Sequence, residues 1–169
     1  MADFLTVPLS RQHQRAAFRC GHPQLDTYLH RQARQDVKRK ISACFVSVTP
    51  EGEIKGYYTL SNASIPYAWI PEPIRKRLPP AYTDLPVTLL GRLAISRDHQ
   101  GQGLGKLLLL DALKRSYLVS RSVASLAVIV DPIDEAAIRF YQRYQFQLLP
   151  DSGKMFLPMK TIEPLFTDP

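Results

Sequence analysis

The chain has 169 residues, of which 45% are hydrophobic and 22% charged, as in globular domains with a full apolar core. Lys and Arg exceed Asp and Glu by seven charges, which favours a polyanionic partner such as nucleic acid, a phosphorylated ligand or an acidic protein. No apolar run is long enough to span a membrane, and residues 1–15 are too polar for a signal peptide, so we expect a cytoplasmic protein without membrane contact.

The two cysteines, Cys20 and Cys44, lack the spacing of a metal site. We therefore expect no bound metal and a reducing compartment. Cys44 lies inside an apolar run, which predicts a small core residue. The chain shows no internal repeat and no linker, so residues 1–169 are predicted to form one domain, with a loose tail over 163–169.

The first third of the chain predicts a helix followed by a hairpin. Apolar residues recur every four positions over 25–38, which predicts a helix. Arg31, Arg34 and Lys38 gather on another face of it, although most such basic stripes are solvated faces. Residues 42–48 and 54–65 are rich in apolar and β-branched side chains, and the turn at 50–53 joins them as a hairpin.

Residues 66–86 contain six prolines and the basic run Arg75-Lys76-Arg77. Prolines at this density leave room for at most a short helix. The pattern predicts an ordered loop with a short helix around 74–78, and loops of this length are usually functional or disordered. Residues 87–95 are almost continuously apolar, which predicts a central strand.

A glycine-rich stretch, Gln100-Gly101-Gln102-Gly103-Leu104-Gly105, separates that strand from a leucine-rich helix over 104–118. Glycines allow close approach of an anion, and a helix start offers unpaired N–H groups, so the stretch predicts a phosphate site. A Walker A loop is excluded because Leu107 stands where Ser or Thr is needed. The dinucleotide fingerprint is excluded because Lys106 occupies its third glycine position.

The last third of the chain predicts a strand, a helix and two closing strands. Residues 124–130 are apolar and predict the strand. Asp131 and Pro132 fit the N-cap and first position of a helix that reaches about residue 144. Residues 146–149 and 154–159 predict the closing strands, joined by a turn at 151–153.

The motifs along the chain resemble those of the GNAT acetyltransferases, and in particular the GNAT toxins of bacterial toxin–antitoxin pairs. The glycine-rich loop matches the acyl-CoA loop of that family at Gln100, Gly103 and Gly105. The resemblance covers nearly the whole chain through Cys20-Gly21, Leu25-Asp26, Gly56-Tyr57-Tyr58, Gly91-Arg92-Leu93-Ala94, Phe140-Tyr141 and Phe156-Leu157-Pro158-Met159-Lys160. One departure is Gln145, where the family usually has glycine after the last helix, and a non-glycine can take that left-handed position at modest cost.

The resemblance implies an α/β (α+β) fold, the GNAT acyl-CoA N-acyltransferase fold. Its central sheet is mixed, mostly antiparallel, of six to seven strands flanked by helices, and splayed between strands 4 and 5. It also implies acetyl-CoA as co-substrate, without a metal. The residues expected to bind acetyl-CoA are Leu93, Ala94, Ile95, Gln100, Gly101, Gln102, Gly103, Leu104, Gly105, Lys106, Asp131 and Phe140.

The resemblance also implies Tyr141 as the general acid that protonates the leaving thiolate. A phenol with a pKa near 10 is protonated at neutral pH. The spacing also allows Tyr141 to be a core residue, and Tyr144 and Phe140 are alternatives. Residues 87–95 contain no carboxylate and no histidine, and a site without a base suits an α-amino group better than a lysine.

Toxins of this group acetylate the α-amino group of aminoacyl-tRNA and block translation, and the resemblance implies that substrate. It also implies a ribbon-helix-helix antitoxin as partner and leaves a homodimer open. A protein N-terminus or small amine as acceptor, and a non-catalytic CoA-binding module, are the alternatives. The expected tRNA contacts are Arg31, Arg34, Lys38, Arg75, Lys76, Arg77 and Arg92.

Overall fold

We describe the protein from a computed structural model, in which residues 3–168 are described. The strands are β1 Val7–Pro8, β2 Ala43–Val48, β3 Ile54–Pro66, β4 Asp84–Ile95, β5 Ala127–Val130, β6 Gln147–Leu148 and β7 Met155–Pro158. The α-helices are α1 Pro23–Thr27, α2 Ala33–Lys38, α3 Glu72–Arg75, α4 Leu104–Ser120, α5 Glu135–Arg143 and α6 Met159–Ile162. Among residues 3–168, no helix is long and apolar enough to cross a membrane.

The strands form one mixed sheet in the order β1-β2-β3-β4-β5-β7-β6. β2 and β3 make the predicted antiparallel hairpin, with Ala43 opposite Leu60. β4 and β5 are parallel, with Thr88 opposite Val128, whereas β5 and β7 are antiparallel. The predicted fold class is therefore confirmed, including the placement of the apolar strand β4 in the middle of the sheet.

The chain divides into two compact units, which we describe separately. The first comprises the residues up to Ser61 together with Gly91–Leu113, and the second comprises Asn62–Leu90 with the residues from Lys114 onward. β3, β4 and α4 each contribute residues to both units. The prediction of a single domain over 1–169 stays a prediction.

The core of the first unit packs the helical stretch at 23–38 against the hairpin. Phe18, Tyr28 and Tyr57 are at most 4% exposed, and the Tyr57 ring pairs with those of both Phe18 and Tyr28. The Tyr57 hydroxyl donates to the Leu25 carbonyl at 2.7 Å, which ties the helix to β3. The predicted helix is present, but residues Tyr28–Gln32 form a π-helical turn between α1 and α2, which the four-residue periodicity could not indicate.

The core of the second unit contains Ile65, Val87, Ile129 and Phe156, all at most 3% exposed. Burying each such side chain stabilises the fold by about 1.5–3 kcal/mol. The proline-rich segment 66–86 joins this core through Ile70. The segment is therefore folded, as predicted, although its helix is α3 and lies at Glu72–Arg75.

Two details of the last third differ from the sequence prediction. Asp134, and not Asp131, caps α5, because its Oδ1 accepts the Ala137 N–H at 2.8 Å. The tail is folded as far as Phe166, where a loose segment was predicted, because its ring stacks on Tyr117 at 6.4 Å. A third detail is confirmed, since Gln145 takes a left-handed φ of 70° directly after α5 and Tyr144.

Burial of the two free cysteines predicts a loss of stability in alkali. Burial raises the pKa of Cys20 to about 11 and that of Cys44 to about 12. Both thiols stay protonated in the folded chain at pH values where the unfolded chain loses the protons, so stability falls as pH rises above the ordinary thiol pKa. We expect the urea midpoint to fall from about pH 8 to about pH 10, and to fall less steeply in Cys44→Ala.

The comparison is between slopes, because Cys44→Ala also loses packing and starts from a lower midpoint. Asp98→Ala, at an exposed site, serves as the control with an unchanged slope. Equal slopes in the wild type and in a Cys20→Ala, Cys44→Ala double variant would show that other groups cause the alkaline loss.

Candidate functional site

The glycine-rich loop connects a 3₁₀ turn at Arg97–His99 with helix α4. Gly101 and Gly103 have φ angles of +76° and +79°, and beyond its chain neighbours a Cβ atom built on either would meet no atom of residues 3–168 within 4 Å. Only glycine adopts this left-handed backbone without strain. The space that a side chain would fill is left open, so a ligand can approach the backbone.

Helix α4 presents backbone donors directly after these glycines. Its Leu107 N–H donates to the Gly103 carbonyl, so the N–H groups of Leu104, Gly105 and Lys106 precede the i→i−4 hydrogen bonds of the helix. The 17-residue helix adds the positive end of its dipole at the same point. The donors, the dipole and the open space together fit a pyrophosphate. Gly105 lies in the first turn of the helix.

Gln100 holds the loop in place with its side chain. Its Nε2 donates to the carbonyls of Cys20 and Ile95, both at 2.8 Å. The side-chain amide is therefore occupied by the protein, and any contact of Gln100 with a ligand is left to its backbone. His99 is half-buried, and its Nδ1 has no partner within residues 3–168.

A close contact between β3 and α4 sets the position of the loop helix. A Cβ atom at Gly56 would lie 2.7 Å from Leu108 Cδ1 and 3.0 Å from the Ala94 carbonyl oxygen. Glycine is therefore required here by space, and any side chain would push α4 or β4 outward. Leu93 and Ile95, which are also expected to bind acetyl-CoA, are half-buried on β4.

A buried carboxylate anchors the middle of α4. Asp111 is 6% exposed and accepts hydrogen bonds from the Leu5 N–H at 2.6 Å and the Tyr58 hydroxyl at 2.7 Å. The Thr6 hydroxyl donates to it as well. Asp111 was not predicted from the sequence, where it stands out only as the single acidic residue in the leucine-rich helix.

Tyr141 lies on α5 in the second unit and is 7% exposed. Phe140 and Phe146 contact its ring, each with centroids 5.2 Å away. Burial raises the pKa of Tyr141, so the phenol keeps its proton throughout the neutral range. Among the described residues the hydroxyl has no hydrogen-bond partner, so it remains available to a ligand. The core and general-acid interpretations are thus compatible.

The other predicted ligand contacts of this unit are less constrained. Phe140 is half-buried and lies edge-on to Tyr144 at 5.2 Å. Asp131 is exposed and pairs with Lys154 at 3.4 Å, a surface contact of little energetic weight. Neither position indicates a specific role, so both stay predictions.

Most of the predicted tRNA contacts are exposed cations. Arg31, Lys76 and Arg77 are exposed, and of these three only Lys76 has an ion pair within residues 3–168, with Glu72 at 3.5 Å. Arg34 and Lys38 line an open cavity of about 540 Å³ whose other lining residues are Leu9, Ser10, Arg11, Gln35 and Val37. The structure thus adds Arg11 to this basic surface, which the sequence analysis did not include.

Arg92 differs from these cations, because it is half-buried on β4. Its guanidinium carbon lies 3.4 Å above the centroid of the Tyr28 ring, a cation–π contact. Burial raises the pKa of Tyr28 to about 12, and its hydrogen bond to Asp36 adds to the increase, whereas the charge of Arg92 opposes it. The Tyr28 hydroxyl therefore stays a neutral donor.

No group of three or more His, Cys, Asp or Glu side chains within residues 3–168 could hold a metal ion. The loop and the start of α4 offer backbone donors that fit a phosphate group. Their positions also agree with the motifs that the sequence analysis compared with GNAT enzymes.

Comparisons with known proteins agree with the resemblance to GNAT enzymes. A tRNA-acetylating toxin of Mycobacterium tuberculosis (strain ATCC 25618 / H37Rv) is 35% identical over 153 residues, covering 90% of each chain. The structure of AtaT complexed with acetyl-methionyl-tRNAfMet is 30% identical, with a TM-score of 0.88 over 98% of this chain and 100% of that one. An AtaT Tyr-to-Phe mutant toxin, in a structure bound to the C-terminus of the antitoxin AtaR and acetyl-CoA, is 28% identical. Its TM-score is 0.78, over 96% of this chain and 98% of that one. Residues 9–146 match the Acetyltransferase (GNAT) family, and the chain belongs to that family.

Proposed function

We propose that the protein transfers the acetyl group of acetyl-CoA to the α-amino group of aminoacyl-tRNA, and that it blocks translation as the toxin of a toxin–antitoxin pair. The observation that carries this proposal is the similarity, over nine-tenths of both chains, to a tRNA-acetylating toxin. The structure of AtaT complexed with acetyl-methionyl-tRNAfMet supports it as well. Acetylation removes the nucleophilic amine that peptide-bond formation needs.

The pyrophosphate of acetyl-CoA is assigned to residues 100–106. The open, left-handed Gly101 and Gly103 and the N–H groups that begin α4 support this assignment. The backbone of Leu93 and Ile95 is assigned to the pantetheine arm, as the resemblance implies. These groups hold the thioester and leave the chemistry to the attacking amine.

Tyr141 is proposed as the general acid. In the proposed reaction the amine nitrogen attacks the thioester carbon, the carbon–sulfur bond breaks, the thiolate takes the phenolic proton, and the nitrogen releases one proton to solvent as the amide forms. The buried position that raises the Tyr141 pKa keeps this proton in place until negative charge develops on the sulfur. The phenolate is then reprotonated from solvent.

An α-amino group suits a site that offers no base. β4 carries a single carboxylate, Asp84, which is exposed at the first residue of the strand. A lysine would need such a base, because its pKa is near 10.4, whereas an α-amino group, with a pKa near 7.7–8.0, is partly neutral at physiological pH. This favours aminoacyl-tRNA over a lysine side chain as acceptor.

The basic surface is proposed to bind the tRNA backbone. The face containing Arg31, Arg34 and Lys38 and the turn Arg75-Lys76-Arg77 are assigned to phosphates. An antitoxin with a ribbon-helix-helix domain is proposed as partner, supported by the complex of AtaT with the C-terminus of AtaR. Self-association as a homodimer is proposed on the family resemblance alone.

Replacing Gly103 tests the acetyl-CoA site. Gly103→Val forces a β-branched residue into φ +79° and fills the open space with its side chain. We expect acetyl-CoA binding to be lost in calorimetry while the fold remains. Gly153→Val is the matched control, because Gly153 also has a left-handed φ, of +72°, and open surroundings. Unchanged acetyl-CoA affinity in Gly103→Val would place the site elsewhere.

Charge removal tests the basic surface. We expect Arg31→Gln, Arg34→Gln and Lys38→Gln together, and Arg75→Gln, Lys76→Gln and Arg77→Gln together, to weaken tRNA binding and spare acetyl-CoA binding. Each phosphate contact that is lost should reduce the salt slope of tRNA affinity by about one. The measurement is a tRNA titration at several salt concentrations. A salt-independent affinity would exclude the assignment.

Replacing Tyr141 tests the general acid. Tyr141→Phe keeps the ring between Phe140 and Phe146 and removes only the hydroxyl, so we expect the urea midpoint to change little. The rate of acetylation of aminoacyl-tRNA should fall by roughly 10²–10⁴-fold, and acetyl-CoA affinity should stay within a few-fold. Expression of the wild type should arrest growth, and expression of the variant should not.

Tyr144→Phe is the control for this experiment, because it removes the neighbouring hydroxyl on the same helix end. It should keep near wild-type activity. If Tyr141→Phe retains near wild-type kcat and Tyr144→Phe loses it, the general acid is Tyr144.

A further inference from the structure

Arg92 is the one cation of the predicted tRNA contacts that the described structure holds against an aromatic ring. Its guanidinium lies 3.4 Å above the Tyr28 ring, and Tyr28 is 4% exposed. The Tyr28 hydroxyl donates to Asp36 Oδ2 at 2.9 Å, and Asp36 is itself 8% exposed. The ring is therefore fixed at both its face and its tip. A guanidinium stacked in this way still offers its N–H donors to an acceptor in its own plane.

The charge of Arg92 is not compensated by the protein. Within residues 3–168 no carboxylate lies within ion-pair distance of it. Burial raises the pKa of Cys44 and of Tyr57, and the nearby charge of Arg92 opposes that increase. A half-buried cation without a partner is costly unless an anion arrives with the ligand. Thr59 pairs with Cys44 across the hairpin. Its hydroxyl is buried, with the residue 1% exposed, and also has no hydrogen-bond partner within residues 3–168.

The two faces of β4 separate Arg92 from the phosphate loop. Ile95 contacts Gly56 beside Leu108 of α4, so this face of the strand packs on the loop helix. Arg92 and Ala94 alternate with Ile95 and lie on the opposite face, where Ala94 belongs to the core with Tyr28. An anion at Arg92 would therefore belong to a ligand other than the pyrophosphate bound by α4.

We infer that Arg92, held by Tyr28, binds a backbone phosphate in the single-stranded acceptor end of the RNA and thereby positions the amine. The inference rests on the proposed function, because it needs an RNA acceptor. It separates Arg92 from the exposed cations: they attract the RNA, and Arg92 fixes its end. Tyr28 is a positioning residue in this arrangement, acting only through Arg92.

Steady-state kinetics with an aminoacyl-tRNA pool test this role. Arg92→Gln should raise KM for the tRNA by about tenfold to a hundredfold, the range of a charge-assisted hydrogen bond. The acetyl-CoA affinity should stay within about twofold, and the salt slope of tRNA binding should fall by about one. Arg121→Gln, at an exposed arginine, is the matched control and should leave KM and salt slope unchanged.

Variants of Tyr28 distinguish positioning from a merely structural role. Tyr28→Phe keeps the ring under Arg92 but leaves the buried Asp36 without this donor, so the urea midpoint should fall while KM stays near the wild-type value. Tyr28→Leu removes the ring, and KM should rise as in Arg92→Gln. A structural role would instead make KM follow the urea midpoint through both variants, and this result would overturn the inference.

Other outcomes are equally decisive. A raised acetyl-CoA dissociation constant in Arg92→Gln would assign Arg92 to the acetyl-CoA site, and a raised KM with an unchanged salt slope would exclude a phosphate as its ligand. If the wild type acetylates no aminoacyl-tRNA, the proposed function itself fails. If the wild type is active and Arg92→Gln has a normal KM, only the inference about Arg92 fails.

Discussion

The phosphate loop depends on how α4 is held, and the buried Asp111 holds it. A carboxylate that is 6% exposed is tolerable only if its oxygens are hydrogen-bonded, and here a backbone N–H and two hydroxyls donate to it. Removal of one donor would leave a buried charge underbonded, which costs more than the net value of the bond. Residues 5–6 and β3 are therefore tied to α4, the helix that follows the glycine-rich loop.

The Gly56-Tyr57-Tyr58 motif serves this arrangement through three different contacts. Gly56 lets Leu108 of α4 approach to a distance that no side chain permits. Tyr57 points to the other face of β3 and binds the Leu25 carbonyl, whereas Tyr58 binds Asp111. Because successive strand residues alternate between faces, one tripeptide fixes the helices on both sides of the strand. The three residues of this motif therefore support the fold that is typical of the family, and none of them is assigned a chemical step.

Local rules predicted most of the fold and the loop, and they failed where long-range contacts decide. The left-handed Gly101 and Gly103 follow from the glycine spacing, and the left-handed Gln145 from the helix end. The sequence predicted Asp131 as the cap of α5, and only the hydrogen bond from the Ala137 N–H to the Asp134 carboxylate shows that Asp134 caps it instead. The stack of Arg92 on Tyr28 joins residues 64 positions apart, so no local pattern could indicate it.

The burial of Tyr141 is compatible with the general-acid role that is proposed for it. Desolvation disfavours the phenolate, so the same packing that raises the Tyr141 pKa guarantees a protonated donor at neutral pH. With its pKa raised above the ordinary value near 10, the phenol is a weak acid toward a thiolate, whose conjugate acid has a pKa near 8.5, so it stabilises charge on the sulfur mainly as a hydrogen-bond donor. Once the carbon–sulfur bond breaks, the sulfur is still the weaker base. Proton transfer is then completed only as solvent or the released ammonium proton restores the phenol, so a buried tyrosine suits a step whose main requirement is a hydrogen bond to developing charge.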